Sequence, residues 1–421
     1  MKNKFRLSVK LLLASFFLAL FFVSCKKTEP IIIWTDRPEI VSYVEFFNVA
    51  QKKAKAIVVY KKNVAVSLPP AKDEKEPDIV IGSLLRNSRI KKNFIAIDRV
   101  FGRSRINPLS MYDTLLDYGK VNGKQYLIPV SFNLPTIIYS QKNNDLVSES
   151  TLIDCDTIRD RGALFNLRDK NEVYIKMGYA PSWDSEFIYE VAKAKGARFG
   201  EKGTVFSWNE NSLETTIEYL KNWSFENNSG TGSEQDFSFK YLYSPDQKIV
   251  NSNRCLFACT TSDVFFDIPS QQTENIGFKW FSGDGKTFVN DEITSLGLYR
   301  TSSNVKAAIS FIEWFFSEST QKNLLDRAMR MQLDTTTFGI CNGFSSIISV
   351  NERVFPAYYK NLLGNLPSDS SLVAPLQLPT RWESLKERVI LPYLLESCDT
   401  ESNASVKSIE ERLALWRNQF N

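Results

Sequence analysis

The stretch that most restricts the fold is Tyr126 to Ser140, YLIPVSFNLPTIIYS. It is introduced by Val121-Asn122-Gly123-Lys124, in which Asn-Gly supplies the two positive-φ positions of a type I′ turn, so a strand is expected to leave at Gln125. The run is rich in Ile, Val, Tyr and Phe, yet Pro129 and Pro135 each remove a ladder donor and hold the preceding residue extended. One strand therefore becomes two. Ser131, Phe132 and Asn133 fall between the prolines, and we read them as a ligand-facing bend where the chain crosses between two lobes.

The N-terminus has a different character. Met1 to Lys10 carries Lys2, Lys4, Arg6 and Lys10 without an acid, and the apolar run Leu11 to Val23 leads to Ser24-Cys25. This is the layout of a secretory leader. The apolar run is too short to cross roughly 30 Å of hydrocarbon as a helix. Phe22-Val23-Ser24-Cys25 resembles the lipobox of bacterial lipoproteins, with Phe in place of the usual Leu. That resemblance implies removal of residues 1–24, acylation of Cys25 (palmitate among the acyl groups), and a lasting anchor from two or three chains.

The chain carries 52 Lys+Arg against 48 Asp+Glu, and four of the bases lie in the leader, so the remainder is balanced. Such a chain offers no field for phosphate backbones, and no nucleic-acid partner is expected. At 421 residues, 43% of them hydrophobic, it is long enough for two domains. Histidine is absent, which removes Ser-His-Asp and Cys-His nucleophile systems and His-bearing zinc sites. Carboxylates, Lys and Tyr remain. Beyond Cys25, Cys155, Cys255, Cys259, Cys341 and Cys398 are odd in number and irregular in spacing, unlike a disulfide framework. Cys255 and Cys259 sit in an apolar stretch and read as small buried hydrophobes, so neither a metal nor a cofactor is expected.

Past the leader, Pro30-Ile-Ile-Ile-Trp34 is a continuous apolar run, the mark of a strand covered on both faces, and Trp34 belongs to that core. Ile40, Val44 and Phe47 then recur at helical spacing behind Pro38. Ala56 to Tyr60 and Pro77 to Gly82 are two further strands, so the rhythm is βαβ and a parallel sheet follows. Ligands sit beyond the carboxyl ends of such strands. This selects Asp36 and Arg37 after the first strand, and Gly82, Ser83 and Arg86 after the third. Further on, Thr151 to Arg161 reads as a helix. Ser182 reads as the N-cap of the next helix, Trp183 lies at its first turn, and Asn211 with Glu214 forms a possible cap pair for another. Arg254 to Thr261 and Glu292 to Arg300 read as strands, Asn304 to Phe316 as an amphipathic helix, and Pro379-Thr-Arg-Trp382 opens a late helix.

The collinear order of lipobox, IIIWTD, PDIVIG, the Asn-Gly hairpin with YLIPVSFNLPTIIYS, the APSW turn, RCLFACTTSDVFF, EITSLGLYRTSSNVKAAISFIEWFFS and PTRW resembles the extracellular solute-binding proteins of carbohydrate ABC importers, the maltodextrin-binding group. The resemblance spans nearly the whole chain past the leader. It implies an α/β, two-lobed periplasmic binding protein-like fold of type II, each lobe a mostly parallel sheet flanked by helices. The lobes would be residues 25–130 with 286–346, and 131–285 with 347–421. It also implies no catalysis, a monomer lipid-anchored at the periplasmic or extracytoplasmic face of the envelope, and a sugar or oligosaccharide bound by hinge closure and handed to permease subunits. Trp183 and Trp382 fall at the family's stacking positions, where an indole meets the C–H face of a sugar. Asp36, Arg37, Arg86, Ser131 and Asn133 would hold its hydroxyls. Gly82 and Leu85 stand where relatives often place an aromatic and an acid.

Two other classes fit the same sequence. A lipoprotein glycoside hydrolase needs two carboxylates across a cleft, for which Asp36 and Glu39 are candidates. A binding lipoprotein for an oligopeptide, a polyamine or an ion, or one that feeds a sensor, would carry the same lobes.

Overall fold

The computed structural model describes residues 29–51, 54–102, 105–331, 337–402 and 405–419; the leader and Cys25 lie outside them. Ile31–Thr35 (β1) is buried at every position, as its unbroken apolar run requires. Glu39–Ala50 (α1) buries Ile40, Tyr43, Val44 and Phe47 along one stripe. Ala56–Tyr60 (β2) and Ile79–Gly82 (β3) flank β1 in parallel. Lys120–Val121 (β4) and Lys124–Gln125 (β5) close the expected hairpin, with φ 52° at Asn122 and 74° at Gly123.

Leu127–Phe132 (β6) and Pro135–Ser140 (β7) are the two strands made from one apolar run. The break falls at Asn133-Leu134. Pro129 stays inside β6 because the register slips there: Thr294 faces Ser131 while Ser295 faces Pro129, so Val130 is bulged and the missing N–H coincides with an interrupted ladder. Pro135 is the first residue of β7, where a missing donor is tolerated.

The second lobe continues with Leu152–Asp154 (β8), Cys155–Phe165 (α2), Ser185–Ala194 (α3), Glu210–Asn228 (α4), Thr231–Phe239 (α5), Phe257–Thr261 (β9), Ser262–Asp267 (α6) and Ile276–Ser282 (β10). The chain then returns through Thr294–Leu298 (β11), Val305–Phe315 (α7), Glu318–Arg330 (α8) and Phe344–Ser345 (β12). It ends with Trp382–Leu385 (α9), a π-helical turn at Lys386–Ile390, Leu391–Ser397 (α10) and Ile409–Asn418 (α11). Here α10 packs on α3.

Two sheets result, ordered β12-β6-β11-β3-β1-β2 and β9-β7-β10-β8. Both are mixed. Pairing is parallel among β1, β2 and β3 and between β10 and β8, and antiparallel wherever β11, β7 or β12 contributes. The βαβ rhythm is local and foretells the first kind only; β7 and β11 begin where the chain arrives from the other lobe. The first sheet extends to Phe132, and Val350, Val354 and Phe355 still join its core, so its contributions run past 130 and 346.

Several expected boundaries move. Residues 152–154 are strand, and the helix starts behind Asp154, whose carboxylate accepts from the Thr157 amide. Asp184, not Ser182, caps α3 by accepting from the Glu186 amide. Asn209, not Asn211, caps α4. In each case a cap-forming residue lies one turn or less away, and the local sequence does not choose between them.

The first core centres on Phe47, whose ring meets Phe311 and Trp314 edge-on at 5.1 Å each. The second centres on Phe187, which meets Trp223 at 5.9 Å and Phe281 at 5.5 Å. Trp34, Trp223 and Trp280 are buried. The five described cysteines are free thiols, with Cys255 buried. Among the described residues no helix is long and apolar enough to cross a membrane.

These features order two substitutions. Phe47→Ala empties a core site and should cost about 3–5 kcal/mol, whereas Gly123→Ala only forces a Cβ into positive φ and should cost about 1–2 kcal/mol. Urea unfolding of the two variants measures both, and the reverse order would contradict the packing described.

Candidate ligand cleft

The chain passes between the lobes three times: at Asn133-Leu134, through residues 283–293, and again beyond β12. Asn133 ties these passages together. Its Nδ2 donates to the Asn342 carbonyl at 2.7 Å, its Oδ1 accepts from the Ser262 hydroxyl at 2.7 Å, and its carbonyl accepts from the Asn290 amide at 3.0 Å. Ser131 donates to the Cys341 carbonyl at 3.2 Å. Both carbonyls are aimed there because Cys341 and Asn342 occupy the left-handed region, with φ 47° and 55°. A non-glycine residue so held costs about 1–2 kcal/mol, which hydrogen bonds on both sides offset.

Above this knot lies a cavity of about 420 Å³. Arg37, Ser131, Thr294, Cys341 and Asn342 border it from the first lobe, and Asp184, Glu186, Glu190, Thr260, Thr261 and Asp263 from the second. Asn290, Asp291 and Glu292 come from the middle crossing, and Trp382, Glu383, Lys386 and Glu387 from the late helix.

Asp291 anchors one wall. It is 6% exposed and accepts from the Tyr189 hydroxyl and the Trp382 Nε1 at 2.8 Å each. Lys193 approaches at 3.4 Å and Lys386 at 3.9 Å. Burial opposes its charge, but Lys193 and Lys386, helped by the two donors, hold its carboxyl below the ordinary range. Burial likewise opposes charge on Lys193, and Asp291 and Glu190 outweigh it, so that ammonium is held above its ordinary value. Around this pair the carboxyls shift the other way, because burial dominates: Glu190 and Glu292 are raised, and Asp184 is pushed up to about 6.

Arg37, Ser131, Asn133 and Trp382 border the cavity, while the other expected residues lie elsewhere. Asp36 pairs with Arg37 at 3.4 Å and abuts Gly82, where an added Cβ would lie 2.6 Å from Asp36 Oδ1 and 2.4 Å from Val64; a glycine is required by that close approach. Ser83 is half-buried beside it. Arg86 lies over the Tyr118 ring at 5.4 Å and donates to the Lys120 carbonyl, so it braces the hairpin. Trp183 stacks on Phe237 at 5.5 Å and donates to the Glu234 carbonyl, away from the residues bordering the cavity. Trp382 is 1% exposed and presents no open ring face; it wedges beneath Asp291 instead.

Of the five residues the strand-end rule selected, Arg37 alone borders the cavity, and the rule passed over Glu190, Asp263, Asn290, Asp291, Glu292 and Lys386. Only Asn290-Asp291-Glu292 gave a local signal, a polar run directly before a strand.

No protein-family model matches the chain, and no curated protein sequence matches it. Solved structures do. A cyclic alpha-maltosyl-1,6-maltose binding protein from Arthrobacter globiformis shares the fold with TM-score 0.59 at 15% identity, over 92% of this chain and 97% of that one. The galacto-N-biose/lacto-N-biose I-binding protein of an ABC transporter from Bifidobacterium longum, in complex with lacto-N-biose, gives 0.60 at 12% identity over 93% and 96%. A cyclo/maltodextrin-binding protein complexed with maltotetraose gives 0.61 at 12% identity over 94% and 99%. The chain therefore has the two-lobed fold of the periplasmic binding proteins.

Asp291→Asn would leave two ammoniums under-compensated, at a cost of about 3–5 kcal/mol. Because the native carboxyl lies below its ordinary value of 3.8, the stability it contributes is present above that value and lost as pH falls through the lower native one. The difference in unfolding free energy between wild type and variant should thus be full near neutrality and shrink in acid; a difference that does not change with pH would refute this account.

Proposed function

We propose that the protein is the substrate-binding component of an ABC importer, taking a sugar or oligosaccharide between its lobes and presenting it to a permease after hinge closure. One observation carries this reading: a cavity bordered by side chains of both lobes, at the Asn133 knot where the crossings meet. A guest there touches both lobes only when they are shut, so binding favours the closed form. Shifting such a balance from 1:99 to 99:1 takes about 5.5 kcal/mol of differential affinity. The structural neighbours are sugar-binding proteins, which supports the choice of solute class. The hydrolase alternative is weaker, because neither Asp36 nor Glu39 borders the cavity.

A thermal-shift panel of mono- and oligosaccharides tests the reading. A cognate sugar at about a hundred times its Kd should add roughly 2.7 kcal/mol, and solution scattering should show a smaller radius of gyration in its presence. Stabilisation without compaction would remove hinge closure from the mechanism.

The envelope anchor belongs to the same proposal and rests on the lipobox-like sequence. Cys25→Ser should move the protein from the membrane fraction to the soluble fraction and abolish labelling by radioactive palmitate. Retention in the membrane fraction would refute the anchor.

A further inference from the structure

The charge of the cleft does not answer a neutral solute. Among the described residues, eight carboxylate side chains border it against two bases, Arg37 and Lys386, and both bases are engaged. Arg37 lies 3.4 Å from Asp36 and 3.9 Å from Glu292, and Lys386 lies 2.6 Å from Glu186. Glu190 gives the sharpest sign. It is 7% exposed, its Oε1 receives the Lys193 ammonium at 3.0 Å, and its Oε2 has no hydrogen-bond partner, while the residue itself borders the cavity. A buried acceptor left unpaired costs about 1–3 kcal/mol, so a donor supplied from the cavity is strongly favoured. Meanwhile, among the described residues, the one aromatic side chain bordering the cavity is Trp382, whose burial leaves no platform for the C–H face of a sugar.

We propose that the solute bound here carries a protonated amine, seated on Glu190 Oε2 and surrounded by the acidic rim of Asp184, Asp263, Glu383 and Glu387. This rests on the reading of the cleft as the solute site, and an amino sugar and a linear polyamine would present the same ammonium to it. An ammonium offers three donors and no acceptor, which suits a wall of carboxylates, and its hydrogen bonds to them are charge-assisted. Burial raises Asp184, Glu190 and Glu292, and an arriving cation favours their charged forms.

Calorimetric titration of the full chain separates the possibilities, using a glucosamine disaccharide, its N-acetylated counterpart, maltose and spermidine as probes. The free-amine disaccharide or spermidine should bind about tenfold or more tightly than either neutral sugar, and weaken as salt is raised. Glu190→Gln should remove about tenfold of the amine's affinity. A Glu383→Gln/Glu387→Gln double variant, altered only at exposed positions, should weaken it about threefold and keeps the test readable if Glu190→Gln does not fold. Equal affinity for the acetylated and free-amine disaccharides overturns the amine assignment and leaves the sugar reading standing. Binding of spermidine alone upholds the amine and overturns the sugar. No binding of either amine-bearing probe overturns the assignment.

Discussion

Everything about this molecule turns on how one asparagine is satisfied. Asn133 sits at a place where an extended chain has left one sheet and not yet joined the next, so its backbone and amide groups have no ladder to complete. Partners come from Asn342 on one side, Ser262 on the other and Asn290 in between. Besides donating to Asn133, the Ser262 hydroxyl accepts from the Leu134 amide at 3.1 Å, while the Ser262 amide donates to the Leu134 carbonyl at 2.9 Å. Crossing segments that would otherwise carry unpaired polar groups are thereby fastened to each other. The junction is further held by Asn342 Nδ2 donating to Asp263 Oδ2 at 3.2 Å and by the Phe266 ring stacking on Phe338 at 5.0 Å.

Electrostatics divides the cleft into a settled wall and an unsettled one. Asp291 has four partners, two charged and two neutral, and its burial is fully compensated. Glu190, on the same helix as Lys193, shares that ammonium and has an oxygen left over. A buried ion pair contributes little net stability when complete, yet is expensive to break. The wall around Asp291 therefore acts as a rigid backing, with Trp382 and Tyr189 as its struts, and the neighbouring carboxyls are where an incoming charge gains most.

Much of the frame was legible in the sequence. The Ile31-to-Trp34 run, the Asn-Gly turn and the proline-split strand each obey a local rule, and each has the geometry that rule demands. The collinear order of segments also pointed to the two-lobed fold. The cleft was less legible, for a physical reason. Its walls come from segments far apart in the chain, such as Ser131 against Cys341, 210 residues on, and no window of sequence reports which acids will face one another. Trp183 and Trp382 show the same limit: an indole near a strand end can stack on a ligand or on its own protein, and here Phe237 and Asp291 are the partners. Arg86 was selected by position after β3, but Tyr118 and the Lys120 carbonyl hold it at the hairpin.

The strand β6 has a consequence for the order in which the protein can be made. Its neighbours in the sheet, β11 and β12, are supplied by Thr294–Leu298 and Phe344–Ser345, so a growing chain on the ribosome exposes both edges of that strand until most of the polypeptide has emerged. Contacts so distant in sequence close slowly, and an uncovered edge rich in Ile, Val and Phe invites pairing with other chains. Nascent protein should accordingly depend on being shielded until late in synthesis, and truncations ending before residue 344 should be recovered chiefly as aggregates.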